Sequence, residues 1–399
     1  MKAVQSEINI GVVGHVDHGK TSLVKSITGE WADRHSEEIK RGITIRLGYA
    51  DADIYECKVK GKKQYILSNK CPDGSKATFV RRISFVDCPG HENLMSVTLS
   101  GASLMDAAIL VIAANEECPR PQTQEHLSAL EIAGIKHIIV VQNKIDLVDK
   151  KEAMQNYRQI KQFVKGTIAE NAAIIPVSAN YNVNIDAVID AIQRYFPTPK
   201  RDASKALRMY VARSFDVNRP KSNIEELVGG VLGGTIAQGV LKIGDEIEIK
   251  PGIKLGDEYK ALKTKVVSLS ASKGKLTEAK PGGLIGVATT LDPALTKSDN
   301  LVGNVVGKIG ELPDVLYDIN VEVHFLDRVV EKIEKKIEEN EVVVVNAGTT
   351  TTVGTVLQKK GNEARIRLKK PLCIEKGHKV AISQRFRNRW SLTSYGVIK

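Results

Sequence analysis

Gly14-His15-Val16-Asp17-His18-Gly19-Lys20-Thr21 places a glycine, four residues, then Gly-Lys-Thr. That spacing suits a polyphosphate. The glycines let successive backbone N–H groups curl around phosphate oxygens, and a helix starting behind them adds partial positive charge. Lys20 is then placed to reach the β- and γ-phosphates, and the Thr21 hydroxyl to bind Mg²⁺. Val16, Asp17, His18, Gly19 and Ser22 are expected to complete the loop around the nucleotide. Further on, Asp87-Cys88-Pro89-Gly90 offers a carboxylate for Mg²⁺ through water and a Gly90 N–H that can sense the γ-phosphate. In Asn143-Lys144-Ile145-Asp146 the Asp146 carboxylate can accept from both N1–H and the exocyclic amine of guanine. Adenine lacks that donor pair, so the chemistry selects GTP over ATP. Ser178-Ala179-Asn180 can offer a backbone N–H to guanine O6. In Arg41-Gly42-Ile43-Thr44, a threonine that completes Mg²⁺ coordination only while the γ-phosphate is present makes an order–disorder switch. His91, directly after Gly90, is a candidate to orient the attacking water.

These motifs need a strand end each, and residues 1–200 supply them. Strands are predicted at Ile8–Val13, Ile43–Tyr49, Arg82–Val86, Ala107–Ile112, Ile138–Gln142 and Ile174–Val177. Helices are predicted after the first loop and near Pro121–Ala133, Glu152–Val164 and Ile185–Phe196, the last with an apolar stripe at Ile185, Val188, Ile189, Ile192 and Phe196. The alternation implies a doubly wound α/β domain with ligands at the C-terminal strand ends. Pro197-Thr198-Pro199 ends the last helix and opens a linker. From Leu207 the texture changes to short β-rich runs between Gly and Pro turns, with a second β set from about Leu312-Pro313. The expected fold is an α/β P-loop GTPase domain, 1–204, followed by two small β-barrel domains, 205–312 and 313–399. The second set is expected to hold strands at Ile319–Phe325, Glu341–Val345, Thr352–Leu357, Ala364–Leu368 and Lys379–Ser383. Periodicity does not decide between a solvated loop and a short helix for Arg328–Glu341.

The 399 residues are 42% hydrophobic, enough for a sizeable core, and no apolar run approaches the roughly 18 residues of a membrane span. The N-terminus shows no signal-peptide apolar stretch. Five cysteines, sparse and odd in number, fit a reducing cytoplasm better than a disulfide framework. The net charge is +11. Residues 359–399 hold twelve Lys or Arg against Glu363 and Glu375, so +10 sits in that end and about +1 in the rest. Such asymmetry suggests a polyanion partner, most simply nucleic acid, or else a soluble basic β-domain. Arg385, Arg387 and Arg389 are equally candidates for RNA contact and for solvating a strand edge.

The phosphate loop, Arg41-Gly42-Ile43-Thr44 and Asp87-Cys88-Pro89-Gly90-His91 resemble the translational GTPases. Within them the chain is similar, nearly end to end, to the gamma subunits of archaeal translation initiation factor 2. Supporting stretches are 35–40, the inserted segment 51–80, 157–171, Arg213–Asn218 and Leu291-Asp292-Pro293. The resemblance implies a factor that carries methionylated initiator tRNA to the small ribosomal subunit with its mRNA in the GTP state, hydrolyses GTP to GDP, and assembles with alpha and beta subunits. It also implies roles by position. Val16 and Ile43 resemble an apolar gate beside the catalytic His91. Asp17 and the Gly42 carbonyl resemble a second Mg²⁺ site. Tyr49 resembles a residue facing the aminoacyl end of the tRNA.

The chain departs from that family in its inserted segment, where two Cys-x-x-Cys pairs often bind zinc. Only Cys57 and Cys71 are present, with Lys60 and Gly74 where second cysteines would fall. Two thiolates do not close a tetrahedral site, so a metal-free knuckle or hairpin is expected. Cys88 reads as a small buried residue rather than a reactive thiol. The same motifs would serve an elongation factor for aminoacyl-tRNA, general or selenocysteine-specific, or a metabolic GTPase. The insert argues against the general elongation factor, and the lack of an extra C-terminal domain against the selenocysteine one.

Overall fold

Strand β1, Ile8–Val13, is buried along its whole length and is the axis of the first half of the chain. The computed structural model describes residues 4–32, 44, 46–59, 61–91, 94–218, 228–272, 274–326, 336–386 and 389–399. Two compact units emerge, Ser6–Pro199 and Lys200–Lys399, the second also taking in the first residues of the chain.

In the first unit β1 pairs in parallel with β4 (Thr78–Asp87) on one side and with β5 (Ala107–Ala113) on the other. Parallel β6 (His137–Asn143) and β7 (Ile174–Pro176) extend the sheet beyond β5. Beyond β4 lie two antiparallel strands, β2 (Gly48–Val59) and β3 (Lys62–Ile66), giving the order β3-β2-β4-β1-β5-β6-β7. Central strands buried on both faces read as continuous apolar runs, which is why β1, β5 and β6 stand out in the sequence. Helix α1 (Lys20–Thr28) follows β1 and buries Leu23, Val24 and Ile27 against it. Helices α2 (Met95–Ala102), α3 (Pro121–Ile132), α4 (Lys150–Val164) and α5 (Ile185–Tyr195) follow in turn. α4 begins with a capping box. Asp149 accepts from the Glu152 N–H at 2.8 Å and Glu152 accepts from the Asp149 N–H at 3.0 Å, reciprocal bonds worth about 0.5–2 kcal/mol. α5 buries Ile185, Val188, Ile189 and Ile192, the stripe its spacing predicted.

Two expectations need correction here. The second strand begins at Gly48, not Ile43, because its first partner is Asp87 and Thr44 turns instead toward Thr21. Segment 51–80, expected as an insert, begins within the sheet. Ala50, Ala52 and Ile54 continue β2 in register with β4, burying one face, and only the hairpin beyond them projects. The cysteines are not all free thiols either: Cys57 and Cys71 form a disulfide. The hairpin turns β3 back over β2, and the Lys70–Lys76 bridge folds the following loop inward, bringing the two Cα atoms within 5.8 Å. Helix α2 has no counterpart among the predicted elements. Its residues, Met-Ser-Val-Thr-Leu-Ser-Gly-Ala, are mostly small and weakly helix-forming, and packing supplies what propensity lacks.

Among its described residues the second unit is all β apart from short helical turns. Strands β8 (Arg208–Phe215), β9 (Val231–Gln238), β11 (Glu246–Leu255), β12 (Glu258–Ala271), β15 (Ile285–Thr289) and β16 (Val305–Lys308) close a ring through β11–β12 pairing. A short β13 (Gly274–Leu276) hangs from β12, and β10 (Leu241–Lys242) pairs with β14 (Glu278–Ala279). A second ring, β17-β20-β19-β18-β21-β22, is also closed. Its strands are β17 (Val315–Phe325), β18 (Val342–Ala347), β19 (Thr350–Lys360), β20 (Glu363–Cys373), β21 (Lys379–Phe386) and β22 (Arg389–Ile398). β22 was not expected from the sequence, yet it closes the barrel between β21 and β17. Most of the run 328–341 lies outside the described residues, as do Arg387, Gly42 and Ile43. Among the described residues no helix is long and apolar enough to cross a membrane.

Candidate functional site

The phosphate loop bridges β1 and α1. Gly14 takes φ 146° and Gly19 φ 85°, backbone conformations that L side chains rarely adopt. A Cβ on Gly14 would also lie 2.3 Å from the Val111 carbonyl oxygen. Asp17 turns the loop at φ 61° and is exposed. α1 then starts with no side-chain cap and no acid in its first turn. Its first N–H groups and its dipole are thus left to an external anion. Lys20 is buried and its Nζ donates to the His15 carbonyl at 2.8 Å, so the ammonium lies along the inner wall of the loop.

Thr21 Oγ1 donates to Asp87 Oδ2 at 2.6 Å and lies 3.1 Å from Thr44 Oγ1. Three hard oxygens from three separate segments thus meet at the N-terminus of α1. Hydroxyl and carboxylate oxygens are the donors Mg²⁺ takes, and the set fits that ion. Gly90, at the end of the Asp87 motif, has no room for a side chain. A Cβ there would fall 2.4 Å from Lys20 Nζ and 2.7 Å from the Val16 nitrogen. Its backbone therefore sits directly on the loop and the lysine. His91 follows, half-buried.

Asn143, at the end of β6, is a brace between motifs. Its Nδ2 donates to the His18 carbonyl at 2.9 Å, and its Oδ1 accepts from the Ala179 N–H at 3.0 Å. The side chain thus locks the phosphate loop to the loop after β7. Lys144 takes φ 62°, and Asp146 follows, exposed, in a single 3₁₀ turn, Ile145–Leu147. Ser178 and Ala179 are buried and Asn180 is exposed. Tyr49 lies on β2 opposite Val86, next to the Gly48–Asp87 pair. Ser22 is half-buried in the first turn of α1.

His18 faces inward. Its ring is buried and Nδ1 lies 3.1 Å from the Val111 carbonyl. Burial pushes its pKa down to about 4 despite nearby Glu116. The neutral ring donates from Nδ1, so Glu116, 3.5 Å from Nε2, is not an ion-pair partner. What His18 offers a nucleotide is its main chain.

Sequence reasoning missed His126. It lies on α3, 1% exposed, and its Nδ1 accepts from the Gly14 N–H at 2.9 Å. Burial, followed by the charge of Lys20, pushes its pKa down to about 3. The ring is neutral, as an acceptor must be. A buried histidine on a helix carries no sequence signal that it reaches a loop 112 residues earlier. Cys88 is fully buried, and burial raises its thiol pKa far above neutrality, which makes it inert packing.

Residues 5–198 match the family described as "Elongation factor Tu GTP binding domain". Residues 229–307 match "Elongation factor Tu domain 2", and residues 317–398 match "Initiation factor eIF2 gamma, C terminal". Translation initiation factor 2 subunit gamma of Methanocaldococcus jannaschii is 59% identical, across 100% of this chain and 98% of that protein. The protein of that name from Pyrococcus furiosus is 55% identical over the same shares. Among solved structures, a bacterial selenocysteine-specific elongation factor matches with TM-score 0.75 and 26% identity, covering 100% of this chain and 58% of that one. This chain therefore spans little more than half of that elongation factor. Elongation factor SelB from Methanococcus maripaludis, in complex with the GTP analogue GppNHp, shares the fold with TM-score 0.73 at 23% identity and 80% of its length. With the nucleotide motifs at successive strand ends, and full-length identity at this level, the chain belongs to the gamma subunits of translation initiation factor 2, the GTP-binding, GTP-hydrolysing subunits of that factor.

Proposed function

We propose that the chain binds GTP with Mg²⁺ at the α1 N-terminus and carries methionylated initiator tRNA to the small ribosomal subunit and its mRNA, together with alpha and beta subunits, in the cytoplasm. The observation that carries the nucleotide part is the convergence of Thr21, Asp87 and Thr44 oxygens beside Lys20. In this reading the backbone of Val16, Asp17, His18, Gly19 and Ser22 wraps the phosphates. Lys20 neutralises the β- and γ-phosphates. Thr21, Thr44 and, through water, Asp87 would hold Mg²⁺, which would supply positive charge against the phosphates; Asp17 and Gly42 are assigned to a second ion. Asp146 reads guanine, with Lys144, Ser178, Ala179 and Asn180 around the base and Asn143 bracing the two loops.

Hydrolysis transfers the γ-phosphoryl group to water. The water oxygen bonds to phosphorus, the bond to the β–γ bridging oxygen breaks, and the leaving charge stays on GDP. His91 orients the water, Gly90 presents its N–H to the γ-phosphate, and Lys20 stabilises the charge. Thr44 couples the γ-phosphate to the switch that holds the cargo, and Tyr49 faces the aminoacyl end. The division into domains 1–204, 205–312 and 313–399 gives one nucleotide switch and two barrels for partners.

The test is binding of methionylated initiator tRNA, with a GTP analogue and with GDP, against an elongator aminoacyl-tRNA, with companion alpha and beta subunits supplied. GTP-dependent preference for the initiator supports the reading. Equal binding of both tRNAs would point to elongation, and binding of neither would leave a GTP switch with another cargo.

A further inference from the structure

The hairpin at the open edge of the sheet carries a concentration of charge that the nucleotide site does not use. Residues 58–76 contain lysines 58, 60, 62, 63, 70 and 76 and one acid, Asp73. Six against one gives +5, nearly half of the chain's net +11 in nineteen positions. Asp73 is engaged locally, accepting from the Ser75 N–H at 2.9 Å and its hydroxyl at 2.6 Å.

Register separates three of these lysines, 58, 62 and 63, into two faces. Tyr55 pairs with Ile66, Cys57 with Gln64 and Val59 with Lys62, so Lys62 shares a face with the disulfide. The Cys57–Cys71 bond ties the loop carrying Lys70 and Lys76 over this face, around a small core of Tyr55, Ile66 and Ala77. Lys70 and Lys76 stand directly opposite one another in an antiparallel bridge, and both are exposed. Two like charges in that position are destabilising unless something neutralises them. None of Lys62, Lys70 and Lys76 has a carboxylate partner among the described residues. On the other face Lys58 stands opposite Lys63, which is paired with Glu56 at 3.0 Å.

The stapled face also presents an aromatic surface. Phe79, across from Tyr55, is 41% exposed and packs edge-on to it with centroids 5.7 Å apart. Lysines and an exposed π-face on one covalently fixed hairpin fit phosphate and base together. The surface is far from GTP. Gly48 pairs with Asp87 at the nucleotide end; Tyr55, opposite Phe79, and Val59 lie seven and eleven residues further along β2, roughly 23 and 36 Å at strand rise.

We propose that the disulfide-stapled face of the β2–β3 hairpin, with Lys62, Lys70, Lys76 and Phe79, docks the phosphate backbone of RNA at a site separate from the nucleotide site. The inference goes beyond the initiator-tRNA reading and does not rest on it. It is tested on the full chain in the GDP state with a fluorescein-labelled RNA hairpin of arbitrary sequence, followed by anisotropy at two salt concentrations. Lys62→Gln, Lys70→Gln and Lys76→Gln together should weaken binding about tenfold or more at low salt. The salt dependence should flatten by about 0.7–0.9 in log–log slope for each contact removed. Lys58→Gln with Lys63→Gln, on the opposite face, is the control and should weaken it far less; GDP affinity reports that both variants are folded. Losses from the two faces in proportion to the charges removed, three against two, would mean that RNA senses net charge alone, and would overturn the proposal. So would unchanged affinity in the triple variant, or an equal drop in binding of labelled poly-glutamate, which would assign the face to an acidic protein.

Discussion

Thr21 Oγ1 lies 2.6 Å from Asp87 Oδ2, a hydrogen bond that joins the first turn of α1 to the end of β4. Thr44 Oγ1 lies 3.1 Å from the same hydroxyl, so the phosphate-loop threonine is the junction of all three segments. Thr21→Ala removes one candidate ligand and the group that orients another. Apparent Mg²⁺ affinity in the nucleotide complex should fall about 10–100-fold. Titrating a GTP analogue with Mg²⁺ and with EDTA checks this. A drop of the same size in both conditions would mean that the threonine supports the loop and not the ion.

Much of this site was legible because its parts are local. A phosphate loop, an Asp-x-Pro-Gly and an Asn-Lys-x-Asp each need only a few consecutive residues and a strand before them, and buried parallel strands announce themselves as apolar runs. What was not legible is what depends on partners far along the chain. His126 reaches Gly14, and Asn143 reaches both His18 and Ala179, across separations that no pattern encodes. The Cys57–Cys71 bond was misjudged for a related reason. An odd cysteine count says nothing about which two a hairpin brings together. β22 was missed because Arg389-Trp390 opens it and Gly396 interrupts its alternation, yet it is held between two neighbours in the ring.

The motif proposed to recognise guanine divides into a brace, Asn143, and a proposed reader, Asp146, and two substitutions separate them. Asn143→Ala leaves the His18 carbonyl and Ala179 N–H without their buried partner, at a cost of about 1–3 kcal/mol in unfolding free energy. Asp146 is exposed. Asp146→Asn should leave stability unchanged and reduce the preference for GTP over ATP. Urea unfolding and competitive nucleotide binding give the two readouts. If Asp146→Asn keeps its full preference for guanine, the base-recognition assignment fails.

His126 gives the unit an acid-sensitive element. In the unfolded chain its pKa is about 6.5, and in the fold burial holds it at about 3. A depressed pKa means that its contribution is fully present above pH 6.5. As pH falls toward 3 the unfolded state takes up the proton first, and stability drops by up to about 1.4 kcal/mol per pH unit from this group. Lys20, His15 and His18 add to the lowering. His126→Gln can still accept from the Gly14 N–H but does not titrate. Its urea midpoint should therefore fall less steeply than that of the parent between pH 6.5 and 4. Parallel pH profiles would show that protonation of His126 is not what the acid limb reports.

The disulfide closes a loop with a sequence separation of 14. By the chain-entropy estimate such a link is worth about 3 kcal/mol. Reduction, or Cys57→Ser with Cys71→Ser, should therefore raise proteolysis of segment 67–77 while leaving GDP affinity unchanged, since the nucleotide end of β2 is held separately by the Gly48–Asp87 pairing. Equal protease resistance with and without reductant would show that the small core of Tyr55, Ile66 and Ala77 holds the loop unaided.

His91 is assigned to the water and not to the nucleotide, and that assignment makes a kinetic demand. His91→Ala should bind a GTP analogue as tightly as the parent, because the loop, Lys20 and the Thr21–Asp87 pair are untouched. Single-turnover hydrolysis should slow by one to several orders of magnitude, each tenfold corresponding to about 1.4 kcal/mol of transition-state stabilisation. The site makes this separation testable, because Gly90 packs its backbone against Val16 and Lys20, and His91→Ala leaves that backbone in place. A variant that loses binding and hydrolysis in proportion would place His91 in the ground state, whereas unchanged single-turnover hydrolysis would remove it from the chemistry and leave positioning by Lys20 and Gly90 to account for the rate.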